Sequence, residues 1–458
     1  MTMSLDSIAA LLSGELHGAA ANVAVAGFSI NTRTLQAGDV YIAIKGHVFD
    51  GHDFIEQAVQ AGAKAVIVQR HVSTTIPSVI VNDTHQALAQ LATAKRQQAS
   101  ALVVGVTGSN GKTTAKEMLA AILGVNAAVL YTQGNLNNDI GVPLTLLRLQ
   151  DEHHYAVIEM GANHAGEIAY TSACAKPDVV LITNVGDAHL EGFGSAEGVA
   201  QAKGEIIETL KADGVAVLNQ DDRFYNYWKT LAGTRKSISF GISTRADFRA
   251  EAIRTEVVDN AFSTRFTLVT PLGDLPITLN LAGQHNVLNA LAASAATSAL
   301  GIELTQIQQG LASLQPVKGR LHPQVGQQGN ILIDDTYNAN PSSLKAALEV
   351  LMGCNGEHWL ALGAFGELGA NSLAIHADMA DMIKSCGVTR LFATGSDTQA
   401  TVDAFGFGAQ YFTAQNDLIV ALNQALTPNV TLLIKGSRSQ RMENVVAALM
   451  NSTGSKPC

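Results

Sequence analysis

The chain has 458 residues, which corresponds to about three domains of ordinary size. Hydrophobic residues make up 47% and charged residues 15%, a composition that excludes a disordered protein. The 29 basic and 39 acidic side chains leave a net charge of −10, so we expect no nucleic-acid partner.

Two features of the sequence indicate the compartment. No apolar run approaches the roughly 20 residues that span a bilayer, and Met1–Gly14 lacks the basic start and cleavage pattern of a secretory leader. The four cysteines, Cys174, Cys354, Cys386 and Cys458, form no Cys-x-x-Cys pair, which argues against zinc and thioredoxin-like sites. We therefore expect a cytoplasmic protein without membrane insertion.

Short apolar runs alternate with helical patterns along the chain, which predicts an α/β fold. The predicted strands are Val40–Ile44, Ala65–Val68, Ala101–Val106, Ala156–Ile158, Val179–Ile182, Val215–Leu218, Ile331–Ile333, Trp359–Leu362, Leu391–Ala393 and Thr431–Ile434. The predicted helices are Asp53–Ala61, Gln86–Gln98, Lys112–Leu123, Gln284–Ala299, Ser342–Met352, Ser372–Ser385 and Ser439–Met450. The later strands have few polar positions, which is typical of parallel strands buried between helices.

Breaks in this alternation predict the domain organisation. One break lies near Asn82–Thr84 and another near Leu314–Arg320, and Asp247–Asn280 has the alternating pattern of an inserted hairpin. The predicted domains are therefore 1–83, 84–313 and 314–458.

The strand that ends at Val106 leads into Thr107-Gly-Ser-Asn-Gly-Lys-Thr-Thr114 and then into a helix. Glycines allow backbone N–H groups to converge on a phosphate at a helix N-terminus, where Lys112 can reach the terminal phosphates and Thr113 can offer a hydroxyl to Mg²⁺. The spacing departs from the strict phosphate-loop pattern. A simple strand-to-helix turn would explain the glycines but not the Lys-Thr pair. The predicted ATP-binding loop comprises Gly108, Ser109, Asn110, Gly111, Lys112, Thr113 and Thr114.

Other polar residues follow predicted strands. Glu159 ends one strand, where a carboxylate can coordinate Mg²⁺ or simply cap a helix or meet solvent. His189 follows a polar loop, and a lone histidine is more often structural than a ligand. Asp334 and Asp335 are adjacent, so at most one faces a given site, and Arg320 could reach a nucleotide from a second domain.

These motifs occur in one order that resembles the Mur ligases. The matching segments are Thr107–Thr114, Gly134–Pro143, Glu159–Asn163, Ala188–Ser195, Ala202–Ile206, Gly283–Asn289, Gly319–Arg320, Asp334–Pro341 and Leu433–Arg438. The resemblance extends from about residue 30 to about residue 440.

The resemblance implies three domains and an ATP-driven reaction. They are an N-terminal domain for a UDP-linked substrate, a P-loop-type central domain, and a Rossmann-like C-terminal domain that closes on ATP and binds the acceptor. Gly134–Pro143, Asp334–Pro341 and Glu367-Leu-Gly most resemble the members that join D-alanyl-D-alanine to UDP-N-acetylmuramoyl tripeptide through an acyl phosphate. The product would be the pentapeptide precursor of peptidoglycan, which links the chain to cell-wall synthesis, cell shape and cell division.

The resemblance also implies roles for individual residues. It makes Thr113 and Glu159 ligands of Mg²⁺, His189 and a carbamylated Lys203 ligands of a second Mg²⁺, and Lys112 a partner of the transferred phosphate. It places Asn286 and Asn289 at adenine, and Arg320 and Asp335 at phosphate and ribose. The residues it places at the UDP-linked substrate are Thr32, Arg33, Lys45, Gly46, Asn135, Asn137 and Asn138.

Two other functions fit parts of this pattern. One is a different ligase of the superfamily, such as folylpolyglutamate synthetase or an earlier Mur ligase, which the N-terminal domain disfavours. The other is a P-loop switch protein, but the Asn-Lys-x-Asp guanine motif is absent from the sequence. Ala364-Phe365 replaces the family's common Asp-Met beside the expected acceptor site. The third peptide residue, diaminopimelate or lysine, stays open, and a monomer is expected.

Overall fold

The computed structural model describes residues 3–18, 24–46, 48–186, 193–258 and 261–450. Within these ranges the strands form four sheets, three of them mainly parallel. Helices pack on these three sheets, which confirms the predicted α/β architecture. None of the helices in the described ranges is both long and apolar enough to cross a membrane.

The first sheet has the strand order β1-β5-β4-β3-β2, with β1 antiparallel to β5. Its strands are β1 (Glu15–His17), β2 (Phe28–Ser29), β3 (Val40–Ile42), β4 (Ala65–Val68) and β5 (Ser78–Ile80). The accompanying helices are α1 (Leu5–Leu12), the 3-10 turn Gly51–Phe54, α2 (Ile55–Gln60) and α3 (Thr84–Gln98). Asp83 caps α3 by accepting hydrogen bonds from two backbone N–H groups, and α3 buries Leu88 and Leu91 in the core of this sheet.

The central sheet has the order β11-β10-β9-β6-β8-β7 and is parallel throughout. Its strands are β6 (Leu102–Thr107), β7 (Ala128–Tyr131), β8 (His153–Glu159), β9 (Val179–Ile182), β10 (Val215–Asn219) and β11 (Lys236–Phe240). The helices of this region are α4 (Lys112–Leu123), α5 (Gly141–Leu147), α6 (Glu167–Ala175), α7 (Ala196–Glu208) and α8 (Tyr225–Ala232). Val104 and Val106 of β6 are fully buried, because helices cover both faces of the sheet.

The segment predicted as a hairpin forms a three-stranded antiparallel sheet. Its strands are β12 (Arg249–Val258), β13 (Ala261–Thr270) and β14 (Gly273–Leu279), followed by helices α9 (Gln284–Ala299) and α10 (Leu304–Ser313). The prediction found the β13–β14 turn but not the additional strand β12, which pairs antiparallel with β13.

The C-terminal sheet has the order β15-β16-β20-β17-β18-β19, with only β15 antiparallel among the described strands. Its strands are β15 (His322–Val325), β16 (Ile331–Asp335), β17 (Glu357–Gly363), β18 (Arg390–Thr394), β19 (Ala409–Phe412) and β20 (Val430–Lys435). Its helices and turns are α11 (Pro341–Met352), the turn Gly369–Asn371, α12 (Ser372–Ser385), α13 (Thr398–Phe405), α14 (Gln415–Ala425), the turn Arg438–Gln440 and α15 (Glu443–Leu449).

Two predicted helices are wrong in their extent. Asp53–Ala61 was expected to be one helix, but its start belongs to the 3-10 turn Gly51–Phe54 and only Ile55–Gln60 is α-helical. Ser439–Met450 was expected to be continuous, but the backbone of Arg441 has a φ of +49°, a left-handed conformation that interrupts a right-handed helix. Three other helices, Lys112–Leu123, Gln284–Ala299 and Ser372–Ser385, have the predicted limits. The limits of the three domains stay a prediction.

Candidate active site

A cavity of about 1140 Å³ lies where the central sheet and the C-terminal sheet meet. Residues that follow β6, β8 and β9 line it from one side, and residues at the ends of β16, β17 and β20 line it from the other. Both sheets therefore present the carboxyl ends of parallel strands to the same space, which is where open α/β sheets bind ligands.

The loop between β6 and α4 forms part of this wall. Gly108 and Gly111 have φ angles of +148° and +82°, and a Cβ atom at either position would collide with Thr183 or Asn289. The loop is also hydrogen-bonded to the segment that follows β9, since Ser109 N–H donates to the carbonyl of Asn184 at 2.9 Å. The glycines predicted for the phosphate loop are therefore required by backbone conformation and by close packing.

Lys112, Thr113 and Thr114 line the cavity at the first turn of α4. Lys112 Nζ donates to the carbonyls of Gly108 at 2.6 Å and Ser109 at 3.2 Å, so it is folded back over its own loop. Burial lowers the pKa of Lys112; the charge of Glu159 opposes this shift and that of Arg320 adds to it. A cation that is poorly solvated and held at a helix N-terminus is suited to bind a phosphate anion.

Glu159, at the end of β8, is 2% exposed. Its Oε1 accepts hydrogen bonds from Asn137 Nδ2 at 2.9 Å and Thr113 Oγ1 at 3.4 Å. Its Oε2 is buried without a hydrogen-bond partner in the described part of the chain. A buried carboxylate oxygen without a donor, beside a hydroxyl, has the chemistry of a site for a hard divalent cation.

Asn135, Asn137 and Asn138 were expected at the UDP-linked substrate, and all three line the cavity. Asn137 binds Glu159 as described, and Asn138 Oδ1 accepts a hydrogen bond from Gly141 N–H at 2.8 Å, at the start of α5. Two of the three side chains thus also have structural partners.

Lys203 lies in α7 and is 2% exposed. Burial, followed by the charge of Lys112, lowers the pKa of Lys203 well below 10.5, and the charge of Glu205 opposes the shift. Burial therefore favours the neutral amine more than water does. The other predicted ligand of this second cation, His189, lies outside the described residues.

Asn286 and Asn289 lie in the first turns of α9 and line the same cavity. Asn286 Nδ2 donates to the carbonyl of Ala282 at 2.7 Å, and Asn289 Nδ2 donates to Asn286 Oδ1 at 3.3 Å. Immediately before Asn286 in the sequence is a cavity-lining residue that we did not predict for the site, His285, whose pKa is lowered to about 4 by burial.

Arg320 and Asp335 line the opposite wall of the cavity, on the C-terminal sheet. The guanidinium of Arg320 lies 4.1 Å from the centre of the Tyr337 ring, and its Nε is buried without a hydrogen-bond partner among the described residues. Asp335 Oδ2 accepts a hydrogen bond from Lys435 Nζ at 2.6 Å, and its Oδ1 accepts one from Leu321 N–H at 3.2 Å. The buried Lys435 is a second residue of the site that we missed, although its motif was part of the resemblance.

A direct contact joins the phosphate loop to the C-terminal sheet. Asn110 Nδ2 donates to Ser342 Oγ at 3.0 Å, and Asn340 Nδ2 donates to Asn110 Oδ1 at 2.9 Å. Asn340 also caps α11 by accepting a hydrogen bond from Ser343 N–H at 2.8 Å. The side chain of Asn110, expected at ATP, therefore binds the start of α11.

The remaining predicted substrate residues follow strands β2 and β3 of the first sheet and do not line this cavity. Thr32 is half-buried, and Arg33, Lys45 and Gly46 are exposed. Nearby, Asp50 forms a β-bridge with Lys45, and its Oδ1 lies 2.6 Å from Nδ1 of His52.

Three family models match the chain. They are the Mur ligase family catalytic domain at residues 24–98, the Mur ligase middle domain at 106–297, and the Mur ligase glutamate ligase domain at 319–438.

Full-length relatives agree with these matches. The chain is 43% identical over 455 residues to the UDP-N-acetylmuramoyl-tripeptide–D-alanyl-D-alanine ligase of Escherichia coli, covering 99% of each chain. It is 34% identical to the ligase of the same name from Bacillus subtilis, covering 98% of each.

Solved structures agree as well. A crystal structure of MurF from Acinetobacter baumannii superposes with a TM-score of 0.91 at 38% identity, covering 98% of this chain and 99% of that one. MurF from Thermotoga maritima in complex with ADP superposes with a TM-score of 0.81 at 30% identity, covering 92% and 96%. With these matches along its whole length, the chain belongs to the Mur ligase family and has its three-domain architecture.

Proposed function

We propose that this enzyme joins D-alanyl-D-alanine to UDP-N-acetylmuramoyl tripeptide at the expense of ATP. The observation that carries the proposal is the cavity in which the phosphate loop and the buried Glu159 face Arg320 and Asp335. Relatives that carry this activity in their names match the chain from end to end.

The reaction is proposed to run in two steps. A carboxylate oxygen of the tripeptide attacks the γ-phosphorus of ATP, ADP leaves, and an acyl phosphate forms. The amine of D-alanyl-D-alanine then attacks the acyl carbon, giving a tetrahedral intermediate that expels phosphate while the amine loses a proton. Lys112 and Arg320, which line opposite walls, are proposed to neutralise the charge that builds up on the transferred phosphoryl group.

Magnesium fits the residues at the phosphate loop. Glu159 Oε2 has no donor among the described residues, and Thr113 Oγ1 lies 3.4 Å from Oε1 of the same carboxylate, so these two side chains would hold the ion. When bound, Mg²⁺ supplies positive charge to the phosphate oxygens. Asn137 keeps the carboxylate oriented through its 2.9 Å hydrogen bond.

Glu159→Gln is expected to raise the Mg²⁺ concentration that half-saturates ligation by about tenfold or more, because the amide removes the charge that binds the ion. Removal of divalent cations with EDTA should abolish ligation by the unmodified enzyme. Binding of Mn²⁺, followed by electron paramagnetic resonance, gives a readout independent of activity. The matched control is Glu117→Gln, since Glu117 pairs with Lys116 on α4 and does not line the cavity. Unchanged Mn²⁺ affinity in Glu159→Gln would contradict the assignment.

The diphosphate of the UDP-linked substrate, the adenine and ribose of ATP, and the acceptor dipeptide have separate proposed partners. Arg33 and Lys45, exposed on the first sheet, are proposed to bind the diphosphate of the UDP-linked substrate. Asn286 and Asn289 are proposed to contact adenine, and Asp335 the ribose. The C-terminal domain is proposed to supply the acceptor site.

Closure of the C-terminal domain on ATP is proposed as part of the cycle. It is supported by the contact of Asn110 with Asn340 and Ser342, which joins the phosphate loop to α11. Closure would also exclude water from the acyl phosphate.

We expect the radius of gyration in solution to fall when an ATP analogue and UDP-tripeptide bind together, because the groups that grip the nucleotide come from both walls. Small-angle X-ray scattering measures this change, with each ligand alone as the comparison. An unchanged radius with both ligands demonstrably bound would contradict closure and leave the ligase proposal standing.

The assay that tests the function measures phosphate release with ATP and UDP-muramoyl tripeptides that contain diaminopimelate or lysine. D-Ala-D-Ala is expected to support turnover, whereas L-Ala-L-Ala and D-Ala are not. Turnover with neither substrate present would instead indicate a P-loop switch protein. We further propose that the enzyme works in the cytoplasm as a monomer.

A further inference from the structure

A short loop after β17 borders the cavity on the side of the C-terminal sheet. Its residues Gly366, Glu367 and Leu368 line the cavity directly. The two residues before them, Ala364 and Phe365, are held by hydrogen bonds to backbone and side-chain groups. These hydrogen bonds set the position of the three lining residues.

One anchor is at Ala364. Its N–H donates to the carbonyl of Thr394 at 3.1 Å, and its carbonyl accepts hydrogen bonds from Ser437 N–H at 3.2 Å and Ser437 Oγ at 2.8 Å. The loop is thereby tied to β18 and to the chain that follows β20.

The second anchor is a buried histidine. His376, in α12, is 0% exposed, and its Nε2 accepts a hydrogen bond from Phe365 N–H at 3.1 Å. Its Nδ1 lies 2.8 Å from the carbonyl of Ser372. Because a carbonyl can only accept, Nδ1 carries the proton and Nε2 is left as the acceptor that the Phe365 N–H requires.

The histidine is itself held in place from two directions. Thr401 Oγ1 donates to the carbonyl of His376 at 2.7 Å, and the hydroxyl of Ser372 donates to Asp397. The Phe365 ring also packs against the imidazole, with ring centres 5.8 Å apart. His376 does not line the cavity, so any effect on substrate passes through the loop.

The loop needs this support because its backbone is strained. Glu367 has a φ of +62°, a left-handed conformation that costs a non-glycine residue free energy. Such a conformation persists where the surroundings hold it, and the hydrogen bonds of Ala364 and Phe365 hold the chain shortly before it.

We propose that His376 is a positioning residue for the acceptor dipeptide. This inference depends on the proposed function. Gly366–Leu368 and Ser437–Ser439 line the part of the cavity to which no ATP or UDP-substrate contact has been assigned. That part offers backbone groups, hydroxyls and the Arg438 cation, a combination suited to a small zwitterionic peptide. By fixing Phe365 N–H, His376 sets the position of the loop that the dipeptide meets.

The test compares His376→Leu with His376→Gln, because a glutamine Oε1 can accept the Phe365 N–H and leucine cannot. His376→Leu is expected to raise the KM for D-Ala-D-Ala about tenfold or more, while the KM values for ATP and UDP-tripeptide change less than about twofold. Positional isotope exchange in ATP, measured with UDP-tripeptide and without acceptor, should persist, since acyl-phosphate formation does not involve the loop. His376→Gln should restore the acceptor KM to within about threefold of the unmodified value.

The matched control is Thr431→Val, which removes a hydrogen bond of a buried threonine of the same sheet at the start of β20, away from the loop and the cavity. An equal rise of the acceptor KM in Thr431→Val and His376→Leu, or no rise in His376→Leu, would overturn the proposal. Should His376→Leu not fold, hydrogen exchange of the unmodified enzyme decides: a slowly exchanging Phe365 amide supports the anchor and a freely exchanging one overturns it. Absence of ligation by the unmodified enzyme with D-Ala-D-Ala would instead refute the proposed function.

Discussion

Replacing Lys112 by alanine is expected to lower the rate of ligation by about 1000-fold or more, because it removes a preorganised cation from the transferred phosphate. The loss of stability should stay below about 1.5 kcal/mol, since the hydrogen bonds of Nζ within the described ranges go to two carbonyls of its own loop and its burial already disfavours the charge. The loop lines a cavity, and Lys112 is partly buried.

Steady-state kinetics and thermal unfolding of the same preparation check this prediction. Lys236→Ala, an exposed lysine at the start of β11, is the matched control for loss of a lysine from the central domain. An active Lys112→Ala enzyme would remove Lys112 from the mechanism. A variant that unfolds would be followed by Lys112→Met, which keeps the aliphatic stem and must also be folded and inactive.

Lys203→Ala is expected to lower the rate of ligation by about 1000-fold or more. Added formate or acetate should restore part of this activity. The lowered pKa of Lys203 favours the unprotonated amine, which is the form that adds CO₂ to give a carbamate and a proton. The carbamate would be a buried anion able to help hold a second Mg²⁺, and a small carboxylate could replace it.

Carbon-13 NMR of the enzyme in labelled bicarbonate should show a carbamate signal that Lys203→Met lacks. An unmodified amine in fully active enzyme would contradict the prediction.

The pH dependence of the free energy of unfolding, measured on CO₂-depleted protein, gives an independent check on the buried amine. Because the folded-state pKa lies below the unfolded value of 10.5, the buried amine costs no stability above pH 10.5 and an increasing amount as the pH falls. Lys203→Met should remove that dependence.

Local patterns in the sequence determined a large part of this protein. The apolar strand, the glycines at 108 and 111 and the helix Lys112–Leu123 are encoded within about twenty adjacent residues, since strand, turn and helix each follow from local spacing and backbone preference. Glu159 was found for the same reason, because it ends a continuous apolar strand. The ordered motifs then indicated the family, which the comparisons confirmed.

Only the tertiary structure decided which distant residues meet. Asp335 and Lys435 are 100 residues apart in sequence, yet β16 and β20 are parallel neighbours, and their register places the two side chains together. The contact of Asn110 with Asn340, and of Phe365 with His376, likewise depends on how sheets and helices pack. Residue types and local spacing do not predict such contacts, because strand order and domain packing are set by the burial of apolar faces across the whole chain.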